Sequence, residues 1–216
     1  MAQLSIDLPR LDARGREDFM VSTSNAQAVA LVDAWPDWPG GRLALVGPEG
    51  SGKSHLAGIW AAEADATRLR AADLTARDAP ALAHRPVVLE DADRGVDEEA
   101  LFHLWNACAG QEHGLLLTGR RPPSDWPVRL PDLKSRLASL TPAVIDDPDD
   151  TLLSVLLLKL FADRQLQVKP ALIGFLLPRM ERSFAAARAL VDRLDAASLE
   201  RGVALNQALA RDLLDR

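Results

Sequence analysis

The feature that most constrains this chain is an octapeptide between a short apolar run and an amphipathic stretch. Residues 47–54 read Gly-Pro-Glu-Gly-Ser-Gly-Lys-Ser and match the pattern GxxxxGK[ST]. In a strand–loop–helix context the loop N–H groups cradle phosphates, the lysine reaches the outer phosphates, and the serine can ligate Mg²⁺. The alternative is a glycine-rich turn with an exposed lysine. The flanking residues 43–46 and 54–64 favour a nucleotide-phosphate site with these residues: Gly47, Pro48, Glu49, Gly50, Ser51, Gly52, Lys53, Ser54 and His55.

Apolar runs alternate with helical stretches over the first three quarters of the chain, which predicts an α/β fold with a parallel sheet. Residues 43–46, 68–70, 87–89, 115–117 and 143–145 are the predicted strands. From about residue 151 the apolar residues recur at helical spacing to the end, which predicts a small all-α domain over residues 151–216. Its predicted helices are 151–163, 171–180, 184–199 and 207–214, with Asp149, Asp150 or Thr151 as the first cap and Pro170 in a first turn.

Composition points to a cytoplasmic protein. The net charge of −6 and the pI near 5.2 argue against direct DNA binding. The single cysteine, Cys108, has no partner for a disulfide and no neighbouring metal ligands, which favours a reducing compartment. The N-terminus lacks the pattern of a secretory signal, and the apolar run at 155–158 is too short to span a bilayer, so we expect no membrane partner.

A carboxylate cluster ends the third predicted strand, where residues 87–93 read Val-Val-Leu-Glu-Asp-Ala-Asp. Acids at this place stand beside Mg²⁺ and a water near a γ-phosphate. Glu90 and Asp91 are therefore predicted Mg²⁺ ligands together with Ser54, and Asp91 is also a candidate catalytic residue. An acidic cluster after a strand is otherwise often a solvated turn, but the preceding phosphate loop favours the functional interpretation.

Two further strand-linked segments carry candidate residues. Thr118 and Arg120 follow the run at 115–117, and ligands of parallel sheets bind outside the carboxyl ends of the strands. An exposed basic turn ended by two prolines explains them equally well. Arg136 lies on the predicted helix before the last strand, where an arginine can stabilise charge on a phosphate bound by a neighbouring subunit. Taken alone, it is more often a surface arginine.

The N-terminus alternates polar and apolar residues. An extended peptide of this kind buries its apolar side chains in a partner's groove, at about 1.5–3 kcal/mol for each fully buried side chain. It can also form an edge strand of its own domain, and the pattern alone favours the edge strand. The residues concerned are Gln3, Leu4, Ser5, Ile6, Asp7 and Leu8.

Taken together, these motifs resemble the replication initiator DnaA and, more closely, its short relatives of the Hda type, in the AAA+ class of ATPases. The resemblance is carried by Phe19 with Ser24 and Asn25, and by residues 52–56, 89–93, 115–123 and 130–140. It implies a five-stranded parallel sheet in the order 5-1-4-3-2, with a helical lid over bound ADP or ATP and Mg²⁺.

The resemblance also implies partners. Gln3 to Leu8, in an N-terminal segment 1–12, look like the QLxLxL peptide with which Hda-type proteins bind the sliding clamp, the beta subunit of DNA polymerase III. This reverses the edge-strand preference. The resemblance then implies a nucleotide-binding domain over 13–150, and we expect no helix-turn-helix domain of the kind with which the initiator continues. Such a protein presents Arg136 to ATP on DnaA and accelerates its hydrolysis. It meets DNA only indirectly through the clamp, and it can form a homo-oligomer.

Three departures from the family bear on the chain's own hydrolysis. Glu90 stands where the family usually has the Mg²⁺-binding aspartate, and Arg120 stands at a sensor position usually held by Asp or Asn. The lid arginine falls on Ala185, one turn from Arg182 and Arg188, and Arg188 is expected to contact nucleotide. We therefore expect at most a weak ATPase. The alternatives are a stand-alone ATPase such as a helicase loader of the DnaC type, and a DnaA-binding adaptor that does not stimulate hydrolysis.

Overall fold

A five-stranded parallel sheet forms the centre of the computed structural model, which describes residues 15–110 and 113–214. Its strands are β1 (Arg42–Val46), β2 (Thr67–Arg70), β3 (Val87–Glu90), β4 (Leu115–Gly119) and β5 (Pro142–Val144). Their order is β2-β3-β4-β1-β5, and every neighbouring pair is parallel. The predicted order 5-1-4-3-2 is thereby confirmed. β4 is buried along its whole length, as expected for a parallel strand covered on both faces.

Helices cover both faces of this sheet. They are α1 (Ala26–Asp33), α2 (Lys53–Glu63), α3 (Ala79–Leu82), α4 (Glu98–Gly110) and α5 (Pro131–Ala138). Leu116 packs into the core beside α1 and α2, whereas Leu115 and Leu117 pack into the core beside α3, α4 and α5. Successive strand residues point to opposite faces, so one apolar run supplies both cores.

The C-terminal helices α6 (Asp150–Asp163), α7 (Pro170–Leu176), α8 (Phe184–Arg201) and α9 (Gln207–Leu214) share a third apolar core. Asp149 caps α6, and its side chain accepts a hydrogen bond from the Leu152 N–H at 2.8 Å. Pro170 opens α7, so the predicted cap and first-turn proline are both confirmed. We call α6 to α9 the C-terminal helical cluster.

The predicted C-terminal end of the helix over 171–180 was wrong. The α-helix stops at Leu176 and continues as a 3₁₀ turn over Leu177–Arg179. Pro178 has no N–H to donate to an earlier carbonyl, so the α-helical ladder does not continue through it. In the parts of the chain that the structure describes, no helix has the length and apolar character of a membrane span.

Candidate nucleotide-phosphate site

The glycine-rich loop follows β1 at the carboxyl end of the sheet. Gly50 and Gly52 have φ values of +82° and +93°, in the left-handed region that favours glycine. A Cβ atom on Gly47 would lie 2.6 Å from the Ile145 carbonyl oxygen. These glycines therefore let the loop turn tightly between β1 and the first residue of α2, Lys53.

Lys53 is buried and points back over the loop. Its Nζ atom donates hydrogen bonds to the Gly47 oxygen at 2.8 Å and to the Pro48 oxygen at 2.7 Å. Burial lowers the pKa of Lys53, and the nearby charges of Asp91 and Asp93 act in the opposite direction. A phosphate oxygen is a stronger acceptor for this ammonium than a carbonyl, because it carries negative charge and both partners are then ionised.

A cavity of about 310 Å³ opens over the loop. Four of its residues are cations, namely Lys53, Arg94, Arg120 and Arg188, whereas only Glu49 and Asp91 are carboxylates. The excess of positive charge suits a polyanionic ligand. The whole lining comprises Glu49, Gly50, Gly52, Lys53, Ser54, His55, Asp91, Arg94, Arg120 and Arg188.

Arg120 lies across the tip of the loop. Its guanidinium pairs with Glu49, and Arg94 approaches the same carboxylate at 3.7 Å. The Arg120 backbone N–H donates to Asp93 Oδ2 at 2.8 Å, which fixes the start of the turn after β4. Of the two interpretations left open by the sequence, the geometry favours a position at the cavity.

Thr118 is buried behind the end of β3 and is not part of the cavity lining. Its Oγ1 atom accepts a hydrogen bond from the Asp91 N–H at 3.1 Å, and its carbonyl accepts one from Ala92 at 2.8 Å. Asp91 has φ +56°, an unusual value for a residue other than glycine. Thr118 thus braces the turn that carries Asp91 into the cavity, and a direct contact with nucleotide stays a prediction.

Glu90 has two partners that bear on the predicted Mg²⁺. Ser54 Oγ donates to Glu90 Oε2 at 2.6 Å, and Arg68 Nη2 donates to Glu90 Oε1 at 2.6 Å. Mg²⁺ is held by anionic and neutral oxygen ligands, and the guanidinium of Arg68 already neutralises this carboxylate. Residues 15–110 and 113–214 contain no group of three or more His, Cys, Asp or Glu side chains placed to hold a metal ion. Both carboxylate oxygens of Glu90 already accept hydrogen bonds, so Glu90 does not fit a Mg²⁺ ligand, whereas Mg²⁺ held by Ser54 and Asp91 through a bound nucleotide stays a prediction.

Arg68 was missed by the sequence analysis. It lies on β2, and only the parallel pairing of β2 with β3 brings it beside Glu90. An alternation of arginine with apolar residues in a strand indicates an exposed face and nothing more specific.

Arg188, on α8 of the C-terminal helical cluster, reaches the loop. Its Nη2 atom lies 3.5 Å from the Gly50 oxygen, and a Cβ atom on Gly50 would come within 2.9 Å of Nη1. Arg182 instead pairs with Asp150, with Nε to Oδ1 at 2.9 Å. Arg188 therefore lies at the loop and Arg182 does not, a difference that the sequence left open.

An apolar cleft of about 120 Å³ adjoins the other side of the loop, and the sequence analysis did not foresee it. It lies between the segment that precedes α1 and the helices α6 and α8. The Phe19 ring stands edge-on to His55, with the ring centroids 5.3 Å apart. The lining comprises Phe19, Met20, Asn25, Gly50, Ser51, Gly52, His55, Leu152, Val155, Leu156, Lys159 and Phe184.

Arg136 lies on α5 and is not part of the cavity lining. Its Nη1 atom donates to Asn106 Oδ1, and its guanidinium carbon lies 4.7 Å from the centroid of the Phe102 ring. The predicted peptide Gln3 to Leu8 lies outside the described residues.

The sheet order, the loop after β1 and the C-terminal helical cluster give this chain the fold of DnaA domain III. No protein-family model matches the sequence. Domain III of the Thermotoga maritima initiation protein DnaA superposes with a TM-score of 0.73 at 16% identity, over 96% of this chain and 98% of that one.

Two other solved structures show the same fold. AMPPCP-bound DnaA from Aquifex aeolicus has a TM-score of 0.64 at 16% identity and matches 85% of this chain. The match spans 65% of the length of that DnaA chain. The RuvB Holliday junction branch migration motor of Thermotoga maritima has a TM-score of 0.67 at 15% identity, over 94% of this chain and 71% of that one.

Proposed function

We propose that this chain is a nucleotide-bound regulator of replication initiation that binds the sliding clamp and stimulates ATP hydrolysis by DnaA. In this proposal residues 1–12 form the clamp-binding peptide, 13–150 the nucleotide-binding domain and 151–216 the lid. The observation that carries it is a cationic cavity over buried Lys53, combined with an arginine, Arg136, held outside that cavity.

The cavity and the adjoining cleft support an adenine nucleotide as the ligand. The cations suit the phosphates, and Lys53 and Arg188 both stand at the loop that would cradle them. The cleft is bordered by Phe19, Leu152 and Phe184, which offer apolar surface to a flat base. The Aquifex DnaA of the same fold is an AMPPCP-bound protein, which agrees with ADP or ATP here.

The surroundings of Arg136 support a role in trans. An arginine that serves a neighbouring subunit has to point away from its own nucleotide, and Arg136 contacts Asn106 and Phe102 rather than the cavity. These contacts hold the long side chain in one place, which lowers the conformational entropy lost when it meets a phosphate. Arginines supplied in trans contribute about 10³–10⁵ to the rate in GTPases.

The partners of Glu90 support a weak intrinsic ATPase. Arg68 neutralises the carboxylate that stands at the metal-binding position, so the chain's own hydrolysis lacks part of its usual machinery. A weak intrinsic ATPase distinguishes the proposed regulator from a stand-alone motor. Slow turnover by the isolated chain is expected, whereas brisk turnover abolished by Lys53→Ala would favour the motor.

The decisive assay measures hydrolysis of DnaA-bound ATP in the presence of this protein and clamp loaded on DNA. We expect Arg136→Ala to lower the stimulated rate at least tenfold, a conservative fraction of the effect of a trans arginine. Lys134→Ala is the matched control, because it removes an exposed cation from the same helix. Equal stimulation by the wild type and Arg136→Ala would show that the trans assignment is wrong.

Binding of nucleotide is measured separately by calorimetry with ADP and ATP. Lys53→Ala removes the ammonium that faces the loop, so we expect it to abolish uptake while the circular dichroism spectrum stays unchanged. If the wild-type protein binds neither ADP nor ATP, the nucleotide site and the proposed function that depends on it are both refuted.

A further inference from the structure

Glu90 already has a cation as its partner. Arg68 Nη2 lies 2.6 Å from Glu90 Oε1 and 3.3 Å from the Ser54 carbonyl oxygen. The Glu90 side chain is 19% exposed, and that of Arg68 is 43% exposed. One guanidinium thus occupies the space between the last residue of β3 and the first turn of α2, beside Ser54 and Glu90, two of the three predicted Mg²⁺ ligands.

The helix makes room for this guanidinium. A Cβ atom on Gly58 of α2 would lie 2.7 Å from Arg68 Nη1, which is closer than any real contact allows. Gly58 follows Ser54 by four residues, so both lie on one face of α2. An alanine at position 58 would therefore displace the guanidinium, which lies at the end of a flexible side chain.

We propose that Arg68 takes the electrostatic place of Mg²⁺ in this site, so that nucleotide binding needs no divalent cation. This inference rests on the proposed nucleotide site. The guanidinium neutralises Glu90, which would otherwise repel the phosphates, and it repels a second cation from the same position. The four cations of the cavity outnumber its two carboxylates, and this excess compensates part of the phosphate charge that Mg²⁺ neutralises in other sites.

The test is ADP binding by calorimetry, with the full chain in excess Mg²⁺ and in EDTA. Wild-type affinities are expected to agree within about threefold, because the charges that hold the phosphates belong to the protein. Arg68→Leu leaves Glu90 as an unpaired anion, so its affinity is expected to fall by about tenfold or more in EDTA relative to Mg²⁺. Arg85→Leu is the matched control, since Arg85 pairs with Asp65 at 3.5 Å before the opposite end of β3.

A second variant displaces Arg68 without removing it. Gly58→Ala pushes the guanidinium away from its present position and favours the helix, so this variant is expected to fold and to become partly Mg²⁺-dependent. Gly174→Ala is its control, because a Cβ built at Gly174 meets no atom within 4 Å apart from its chain neighbours and the backbone of its own helix. Thermal unfolding of each variant reports folding independently of the metal.

The outcomes separate this inference from the proposed function. Wild-type binding that weakens about tenfold or more in EDTA overturns the role of Arg68 and leaves the nucleotide site standing. If the ADP affinity of Arg68→Leu changes no more between Mg²⁺ and EDTA than that of Arg85→Leu, the role of Arg68 is also overturned. A wild-type chain that binds no ADP in either solution refutes the nucleotide site and this inference together.

Discussion

Asp149 ties the segment before α1 to the C-terminal helical cluster. Its Oδ1 atom accepts from the Leu152 N–H at 2.8 Å, and its Oδ2 atom accepts from Thr23 Oγ1 at 2.7 Å. These hydrogen bonds, that of Leu152 first, lower the pKa of Asp149 from the ordinary 3.8 to about 2. The carboxylate therefore stabilises the folded protein in its charged form.

Removing this carboxylate has a cost that follows from its two bonds. Loss of a helix cap costs about 0.5–2 kcal/mol. The exposed bond from Thr23 adds about 0.5 kcal/mol, the low end for a hydrogen bond. We therefore expect Asp149→Ala to lower the free energy of unfolding by about 1.5 kcal/mol. Asp149→Asn keeps a cap acceptor and is expected to lose about 0.5 kcal/mol.

Urea denaturation at neutral pH measures both changes. Asp147→Ala is the control, because Asp147 is exposed two residues before the cap and its removal is expected to change stability by less than about 0.5 kcal/mol. If Asp149→Ala had the same midpoint of urea unfolding as Asp147→Ala, the stabilising role of the Asp149 carboxylate would be refuted.

The pH dependence gives an independent check. The folded-state pKa of Asp149 is lowered, so its stabilisation is complete above the ordinary value of 3.8 and is lost as the pH falls toward about 2. The stability gap between the wild type and Asp149→Ala should be full near neutral pH and should narrow below about pH 4. A gap that stays constant down to the acid limit of folding would contradict a role for the charged carboxylate.

Three other predictions concern the core, the thiol and the N-terminus. Leu157 is 0% exposed and Leu158 is 44% exposed. Leu157→Ala should therefore cost about 2–5 kcal/mol in urea denaturation. Leu158→Ala should cost less than about 1 kcal/mol. Burial raises the pKa of Cys108 to about 11, so a thiol reagent at mildly alkaline pH should react slowly until denaturant is added; fast reaction of the folded chain would contradict this. Deletion of residues 1–8 should abolish binding to the clamp in surface plasmon resonance with an unchanged melting temperature, and an equal loss of both would restore the edge-strand interpretation.

Local sequence patterns predicted the strands and the starts of two helices. The apolar runs predicted five strands, and the order of those strands follows from the resemblance to the AAA+ class and is confirmed. The cap at Asp149 and the opening of α7 at Pro170 were also predicted, since a cap or a first-turn proline acts on its own turn of helix. The residues of the phosphate loop were also predictable from a local pattern, because they are adjacent in the chain.

Other parts of the site depend on residues that are far apart in the chain. The choice of Arg188 over Arg182 depends on how α8 lies against the loop, and both arginines lie one turn from Ala185 in sequence. The apolar cleft joins Phe19 to Phe184, which no local pattern connects. The predicted Mg²⁺ ligation did not anticipate Arg68, because its pairing with Glu90 exists only in the folded sheet.

The amino-acid sequence by itself determined the loop, because a turn with positive φ values favours glycine at given positions and a phosphate loop needs its lysine directly after them. It also determined the alternation of strands and helices through the spacing of apolar residues. Only the tertiary structure decided which charges meet at that loop. Parallel pairing of β2 and β3 brings Arg68 to Glu90 across 22 positions, and electrostatic interaction depends on that distance in space rather than on separation along the chain.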